Sequence, residues 1–435
     1  MDFLIFYEHD VRELDSVFLL RNALILAGYS CEITSHCLWG YWRHILFSKP
    51  KVVVVPWLRY DENIALFTSF VRTKVCKIVN LQWEQIYNKK NLELGLTSIH
   101  GESINAVHLC WGQHTYDRLK KDVDENKLKI CGPIQFDFCR LPSSFYMSRE
   151  ELSKEFNLDL SKSWRLFISS FSYATLPDSD LKNIQDNFGD ISPFVLCSKE
   201  SRTIILKWYR KLLSLDSDSL IIYRPHPSEL QDEEILQMSL DFKNFKIIRE
   251  YPIKHWIFNS DYIDTWYSTS IAEVYFMNKK CSILRPIPIP NEFEVEIMKE
   301  ADFVTTEYQF LSTTNNKKIS FPVKDSVFDV YFDVKKGCPS VLRVRDALVN
   351  ILHDSSLDYD FSGIKVKNRS TIFKYTLLSF LGDLICLIRL SFPLPRNLKR
   401  VNSFNLIRNS LFADKESYSK RILKYWGLES IVNIS

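Results

Sequence analysis

Short runs of consecutive apolar residues alternate along this chain with stretches whose apolar positions recur every three or four residues. Phe3–Tyr7, Cys31–Thr34, Lys51–Val55, Lys77–Leu81, Ala106–Cys110 and Lys127–Cys131 are runs of the first kind. Continuous hydrophobicity over so few residues predicts strands covered on both faces. Between them, Asp15–Ala27, Trp39–Phe47, Glu62–Val71 and Gly112–Lys121 read as helices, with Gly28 as C-cap of the first. Strand–helix alternation of this kind implies a parallel sheet flanked by helices, a Rossmann-like domain over residues 1–140.

Gly132-Pro133 breaks the pattern, and a polar stretch makes a linker of residues 141–163. Within it Ser148 and Glu151 have the S-x-x-E spacing of a capping box. A second series opens at Trp164–Ser169. It runs through a helix at Arg202–Leu213, strands at Leu220–Tyr223, Phe245–Ile248 and Tyr262–Thr265, a helix at Ser270–Met277 and a strand at Ser282–Leu284. This predicts a second Rossmann-like domain over 164–345, then a helical basic tail over 346–435. The fold class is therefore α/β, two doubly wound halves whose strand ends face a shared cleft.

Composition changes the picture in three places. Hydrophobic residues at 46% and charged residues at 25% suit a globular chain, and a net charge of only +3 does not announce nucleic acid. From Ile364 onward there are 13 Lys/Arg against 4 Asp/Glu, so the tail carries +9 and the remainder −6. That asymmetry suggests an anionic surface as partner. Ile372–Phe392 is apolar but holds Lys374, Asp383 and Arg389. Each charge costs about 2.5–3.5 kcal/mol at the centre of a spanning helix. A helix lying on the inner leaflet, or packed on the body, fits better, and Lys399 and Arg400 beyond it would meet acidic lipid at roughly 1 kcal/mol each. Ten scattered cysteines without a CxxC pair read as buried thiols of a reducing compartment, and the first residues lack a basic n-region. The expected location is cytoplasmic, with peripheral contact to the inner membrane.

The densest candidate chemistry is Tyr223-Arg224-Pro225-His226-Pro227-Ser228-Glu229. A buried strand ends there, and two prolines fix φ on either side of His226. Arg224 offers a planar donor fork suited to phosphate, and His226 a donor to a bridging oxygen or leaving group. The competing reading is a turn in which Arg224 pairs with a local carboxylate such as Glu229. Downstream, Asp264-Thr265-Trp266-Tyr267 runs into Ser268-Thr269-Ser270, with Glu273 three residues later. Ser270 and Glu273 match a capping box, and the same helix start offers free N–H groups to an anion. Glu273 has an alternative role, reaching a ribose hydroxyl.

The succession R-x-H-P, then S-D followed by S-T-S-x-x-E, then Asn278-Lys279-Lys280-Cys281-Ser282-Ile283, resembles the bacterial surface carbohydrate biosynthesis protein family. That group includes capsule Kdo transferases, polysialyltransferases and teichoic-acid polyol-phosphate transferases. The resemblance covers about residues 1–300. It implies a GT-B architecture, a CMP- or CDP-linked donor held by Arg224, His226, Ser268, Thr269, Ser270 and Glu273, and an acceptor on the N-terminal domain. The acidic-acidic-Gly motif of capsule transferases is absent. Where it would stand, Gln82-Trp83-Glu84-Gln85 follows a strand, which makes Glu84 the candidate general base. A helix-start acid is the competing reading of Glu84. In the first loop, Asp10 is the alternative base, and Asp15 is read as a helix cap. Arg12 and Trp83 are candidate acceptor contacts.

No cofactor and no metal are expected. The D-x-D triplets, such as Asp122/Asp124 and Asp178/Asp180, follow no strand end, and arginine with a helix end supplies the positive charge that Mg²⁺ would bring. The sequence thus reads as a glycosyltransferase joining a nucleotide-linked sugar to a surface glycan or lipid-linked glycan. Two rivals stand beside it: a polyol-phosphate transferase attacking phosphorus, and a non-catalytic glycan- or nucleotide-binding partner in polysaccharide assembly.

Overall fold

The computed structural model describes residues 1–8, 10–35, 47–68, 77–141, 143–230, 232–313, 320–335 and 337–361, with a few isolated positions besides. Two units are present, each with its own sheet. The helix read at Trp39–Phe47 and the tail beyond Ile364 lie almost wholly outside the described residues.

The first unit holds residues 1–85 and 97–141, together with residues from 329 onward. Its strands are β1 (Phe3–Tyr7), β2 (Cys31–Ser35), β3 (Val52–Val55), β4 (Ile78–Asn80), β5 (Val107–Cys110) and β6 (Leu128–Ile130). They pair in parallel in the order β2-β1-β3-β4-β5-β6. Every residue of β1 and β3 is buried, as the continuous apolar runs require of strands covered on both faces. On one face Leu4, Phe6, Val53 and Val55 pack with Ile64 and Phe67 of the helix Asp61–Thr68.

Three features of this unit differ from the sequence reading. The first helix starts at Asp10, not Asp15, because the buried Glu13 carboxylate reaches back to the Glu8 amide (2.7 Å) and turns the chain early. Asp15 therefore lies inside the helix and not at its N-cap. Second, the chain returns: Ser340–His353, whose residues the sequence divides between the second domain and the tail, is one helix that packs on the first helix of this unit. Third, close approach makes that return possible. A Cβ on Gly112 would lie 2.5 Å from the Tyr331 carbonyl oxygen, and one on Gly132 2.5 Å from that of Asp333. The returning helix is capped from outside by Asp137, whose carboxylate accepts the N–H groups of Ser340 (2.9 Å) and Val341 (2.7 Å).

The second unit holds residues 86–96 and 142–328. Its strands are β7 (Ser163–Ile168), β8 (Ser219–Arg224), β9 (Phe245–Ile247), β10 (Tyr262–Thr265), β11 (Cys281–Leu284) and the short β12 (Phe303–Val304), the last of which carries no pattern long enough to read. They too are parallel, in the order β12-β11-β10-β7-β8-β9. Ser148 and Glu151 form the expected reciprocal capping box at the helix Arg149–Phe156. The helix read at Arg202–Leu213 is much longer, Ser192–Leu215, starting with Pro193 in its first turn. Its face of Ile205, Tyr209 and Leu212 packs with Phe167, Tyr223 and Trp266 in the main core. Among the described residues no helix is long and apolar enough to cross a membrane, and no disulfide joins the cysteines.

Candidate functional site

In the second sheet the chain starts at β7, builds outward through β8 and β9, then returns to add β10 on the other side of β7. The connections from β7 and β10 leave in opposite directions, so the switch point lies where these strands end. Three loops follow the carboxyl ends of β7, β8 and β10: Ser169–Phe171, Pro225–Glu229 and Trp266–Ser270.

The Pro225–Glu229 loop is held from below. Glu229 is 2% exposed. Its carboxylate accepts from Ser169 Oγ (2.6 Å), Tyr223 OH (2.5 Å) and the N–H groups of Phe171 and His226 (both 3.3 Å). His226 is exposed, and its Nδ1 accepts the N–H of Ser228 (3.1 Å). In the neutral imidazole this puts the ring proton on Nε2. Arg249, just past β9, donates to the carbonyls of His226 (3.3 Å) and Glu229 (2.8 Å).

Arg224 does not pair with Glu229. Its guanidinium, 9% exposed, donates to the backbone carbonyls of Glu250 (2.8 Å) and Tyr251. The fork read as a phosphate ligand is therefore already turned toward the neighbouring loop. It forms no direct ion pair among the described residues, although the Glu250 carboxylate lies close enough to favour its charge. The other buried arginines of this unit each face a carboxylate: Arg165 meets Asp264, Arg202 meets Asp232 and Glu234, and Arg285 meets Glu294. Burial pushes the pKa of Arg224 down to about 10, against the pull of Glu250 and with a smaller push from Arg249. Arg165, desolvated as well but set against Asp264, moves the other way.

The Ser268–Ser270 segment follows β10 as expected, but its capping box does not form. Ser270 already has helical angles and makes no side-chain cap, and its own N–H goes to Ser268 Oγ (3.3 Å). The helix that follows, Ile271–Phe276, has only six residues. Thr269 is exposed, and Glu273 is half-buried. Desolvation raises the Glu273 pKa, against opposing pulls from Lys254 and Ser270.

In the first unit the structure brings Arg12 and Glu84 together as an ion pair, both about half exposed (50% and 58% of their side chains). Glu84 follows Gln82, whose φ of +47° is unusual for a residue with a side chain. Buried polar groups hold that turn: Asn80 Oδ1 accepts the Gln82 N–H (3.0 Å), and Gln82 Nε2 donates to the Glu84 carbonyl (2.9 Å). Behind it Gln85 bridges the Leu109 carbonyl (2.9 Å) and the Trp111 N–H (2.8 Å). Trp83 is half-buried, and its indole N–H has no acceptor among the described residues. Asp10 is the first residue of the helix Asp10–Leu26. No group of three or more His, Cys, Asp or Glu side chains among the described residues is placed to hold a metal ion.

Glu229 and Arg249 escape sequence reasoning because their work depends on strand neighbours. Nothing in the spacing of Ser169, Tyr223 and Glu229 shows that β7 and β8 lie side by side.

Two six-stranded parallel sheets flanked by helices, one in each unit, make this an α/β protein of the GT-B fold class. Solved structures of UDP-GlcNAc 2-epimerase from Methanocaldococcus jannaschii are similar to it over 80% of this chain and 100% of theirs, with TM-scores of 0.50 and 0.51 at 15% and 12% identity. One of them is a complex with UDP-GlcNAc and UDP. Wall teichoic acid polymerase TagF is similar over 81% of this chain and 89% of its own, with a TM-score of 0.48 at 11% identity, too distant to carry an argument. No protein-family model and no curated protein matches the sequence. At such identities the likeness is one of fold, and function must be argued from the site.

Proposed function

We propose that this chain is a metal-independent glycosyltransferase that moves a sugar from a pyrimidine-nucleotide donor to a glycan or lipid-linked glycan of the bacterial surface, such as capsule or O-antigen. The observation that carries the reading is Arg224, a guanidinium buried at the carboxyl edge of a nucleotide-type sheet without a direct ion pair among the described residues. A buried cation without an ion pair is unfavourable in the empty protein, and an anionic ligand relieves it. Donor phosphate does so through the field of Arg224, with the Ser268, Thr269 and Ser270 hydroxyls as direct ligands and Glu273 at the ribose.

In the transfer, an acceptor hydroxyl oxygen bonds to the anomeric carbon while the bond from that carbon to the donor phosphate oxygen breaks. Glu84 takes the hydroxyl proton, with Asp10 as the alternative base, and Arg12 and Trp83 contact the acceptor. The nucleotide leaves with the bonding electron pair, and the Nε2–H of His226 hydrogen-bonds to its phosphate oxygen. The basic tail keeps the enzyme at the cytoplasmic face of the inner membrane, where a lipid-linked acceptor is found.

The fold neighbour's UDP and the CMP or CDP implied by the motif resemblance share a pyrimidine base, so a thermal-shift screen with CMP, CDP, UDP and GDP tests the reading. A specific ligand at a hundred times its Kd stabilises the fold by about 2.7 kcal/mol. A pyrimidine nucleotide is expected to raise Tm and GDP to leave it unchanged. Four flat responses at millimolar nucleotide would overturn the proposal.

A further inference from the structure

We infer that Glu229 is the positioning residue for His226, a role that rests on the reading of His226 as the group facing the leaving phosphate. His226 lies between Pro225 and Pro227, neither of which has a backbone N–H. Within this triplet the His226 amide is thus the single donor available to anchor the backbone. It goes to the Glu229 carboxylate (3.3 Å), and the His226 carbonyl accepts the Glu229 N–H in return (2.8 Å). Both backbone polar groups of His226 are therefore tied to one residue.

That residue is itself tied down. Oε1 of Glu229 accepts from Tyr223 OH, whereas Oε2 gathers Ser169 Oγ and the amides of Phe171 and His226. These donors come from the ends of β7 and β8, so the loop is registered against the sheet and not only against itself. The carboxylate is 2% exposed, while the three residues His226–Ser228 above it are exposed. No cation pairs with Glu229 among the described residues. A buried acid without a cation is an expensive way to gain stability. Two acceptor oxygens aimed in different directions are what the geometry requires.

The bonding pattern also separates this role from simple loss of packing. Glutamine in place of Glu229 keeps one carbonyl oxygen for the Ser169, Phe171 and His226 donors. Its NH₂ then faces Tyr223 OH, a hydroxyl able to accept. Glu229→Gln is therefore expected to act as a rescue, whereas Glu229→Ala frees the His226 amide. Loss of a fixed imidazole position is expected to lower kcat by about 10²-fold, the cost of misplacing a reacting group by about 1 Å. Donor KM and the nucleotide thermal shift stay unchanged.

The experiment has two independent readouts. In ¹⁵N-histidine spectra, with the His226 signal assigned by its loss in His226→Ala, the intact protein should show one fixed Nε2–H tautomer. Glu229→Ala should show averaging, and Glu229→Gln the intact pattern. In kinetics, adding Glu229→Ala to His226→Ala should cost nothing further, since one loop position is lost only once. If Glu229→Ala does not fold, Ser169→Ala removes the 2.6 Å anchor and should give the same changes in weaker form. An unchanged His226 signal in the Glu229 or Ser169 variant, or additive losses in the cycle, overturns the positioning role. Wild-type turnover by His226→Ala overturns the transfer reading instead, whatever the spectra show.

Discussion

Replacing Arg224 with methionine separates a ligand-binding cation from a structural one. Burial lowers its pKa by about 2.5 from the ordinary guanidinium range to about 10. At 1.36 kcal/mol per unit, holding the charge there costs the empty fold about 3 kcal/mol. Against this stand its bonds to the Glu250 and Tyr251 carbonyls, worth about 1.5–3 kcal/mol each for a charged donor. Together these bonds offset the cost or somewhat exceed it, so Arg224→Met is expected to lower unfolding free energy by at most about 3 kcal/mol. Ligand binding does not share that offset, because phosphate interacts with the charge and methionine has none. Recovering about 2 kcal/mol of the desolvation cost on binding corresponds to a loss of about 30-fold in nucleotide affinity in the variant. Urea unfolding gives the first quantity, and calorimetric titration with whichever nucleotide shifts Tm gives the second. A variant that loses much stability but binds nucleotide as tightly as before would show that Arg224 merely pins the Tyr251 loop.

The same geometry sets four further outcomes. His226→Ala should lower kcat by about 10²–10⁴-fold, leaving a measurable remainder, at nearly unchanged Tm because the side chain is exposed, and turnover with a Tm scan on one preparation checks it. Glu84→Gln should lower kcat by about 10²–10⁴-fold without changing nucleotide affinity, and normal turnover alongside an inactive Asp10→Asn would move the base to the first loop. Burial lifts the Asp137 carboxyl from 3.8 to about 6, so the folded chain binds a proton between those values that the unfolded chain does not. Stability from this group therefore rises as pH falls through 6, by about 1 kcal/mol at pH 5, and an Asp137→Asn variant should lack that gain in urea titrations at pH 7.5 and 5. Removal of residues 364–435 should release the protein from anionic liposomes, as should raised salt, and a full chain that ignores such liposomes at low salt rules the contact out.

The parallel sheets were readable because burial on both faces leaves a short, unbroken apolar run. Phe3–Tyr7 and Val52–Val55 mark their strands with no other help. Loops bearing Arg224, His226 and Ser268 were readable for the same reason: once a parallel strand is placed, the residues just past its last position lie at the carboxyl edge of the sheet. Direction of side chains was not. Arg224 turns to carbonyls supplied by the loop after β9, and Ser270 takes helical angles with its amide on Ser268 Oγ and makes no side-chain cap. The return of Ser340–His353 to the first unit depends on glycines at 112 and 132 admitting a distant backbone, which no local pattern encodes.

The pairing of Arg12 with Glu84 bears on whether that acid can act as a base. A carboxylate committed to a buried guanidinium would be a poor choice, since breaking such a pair costs about 3–5 kcal/mol. This pair is about half exposed on both sides, and exposed pairs are worth only about 0–1 kcal/mol. Arg12 stands at the start of the helix after β1, and Glu84 stands after β4, with β3 between the two strands. Their side chains thus meet over a strand end, and the ion pair itself adds little to the cost of an exchange of partners there. Meanwhile the backbone under Glu84 is held by Asn80, Gln82 and Gln85, all buried and mutually bonded. A solvent-exposed carboxylate on a rigid support suits an acid that must exchange one partner for another during each turnover.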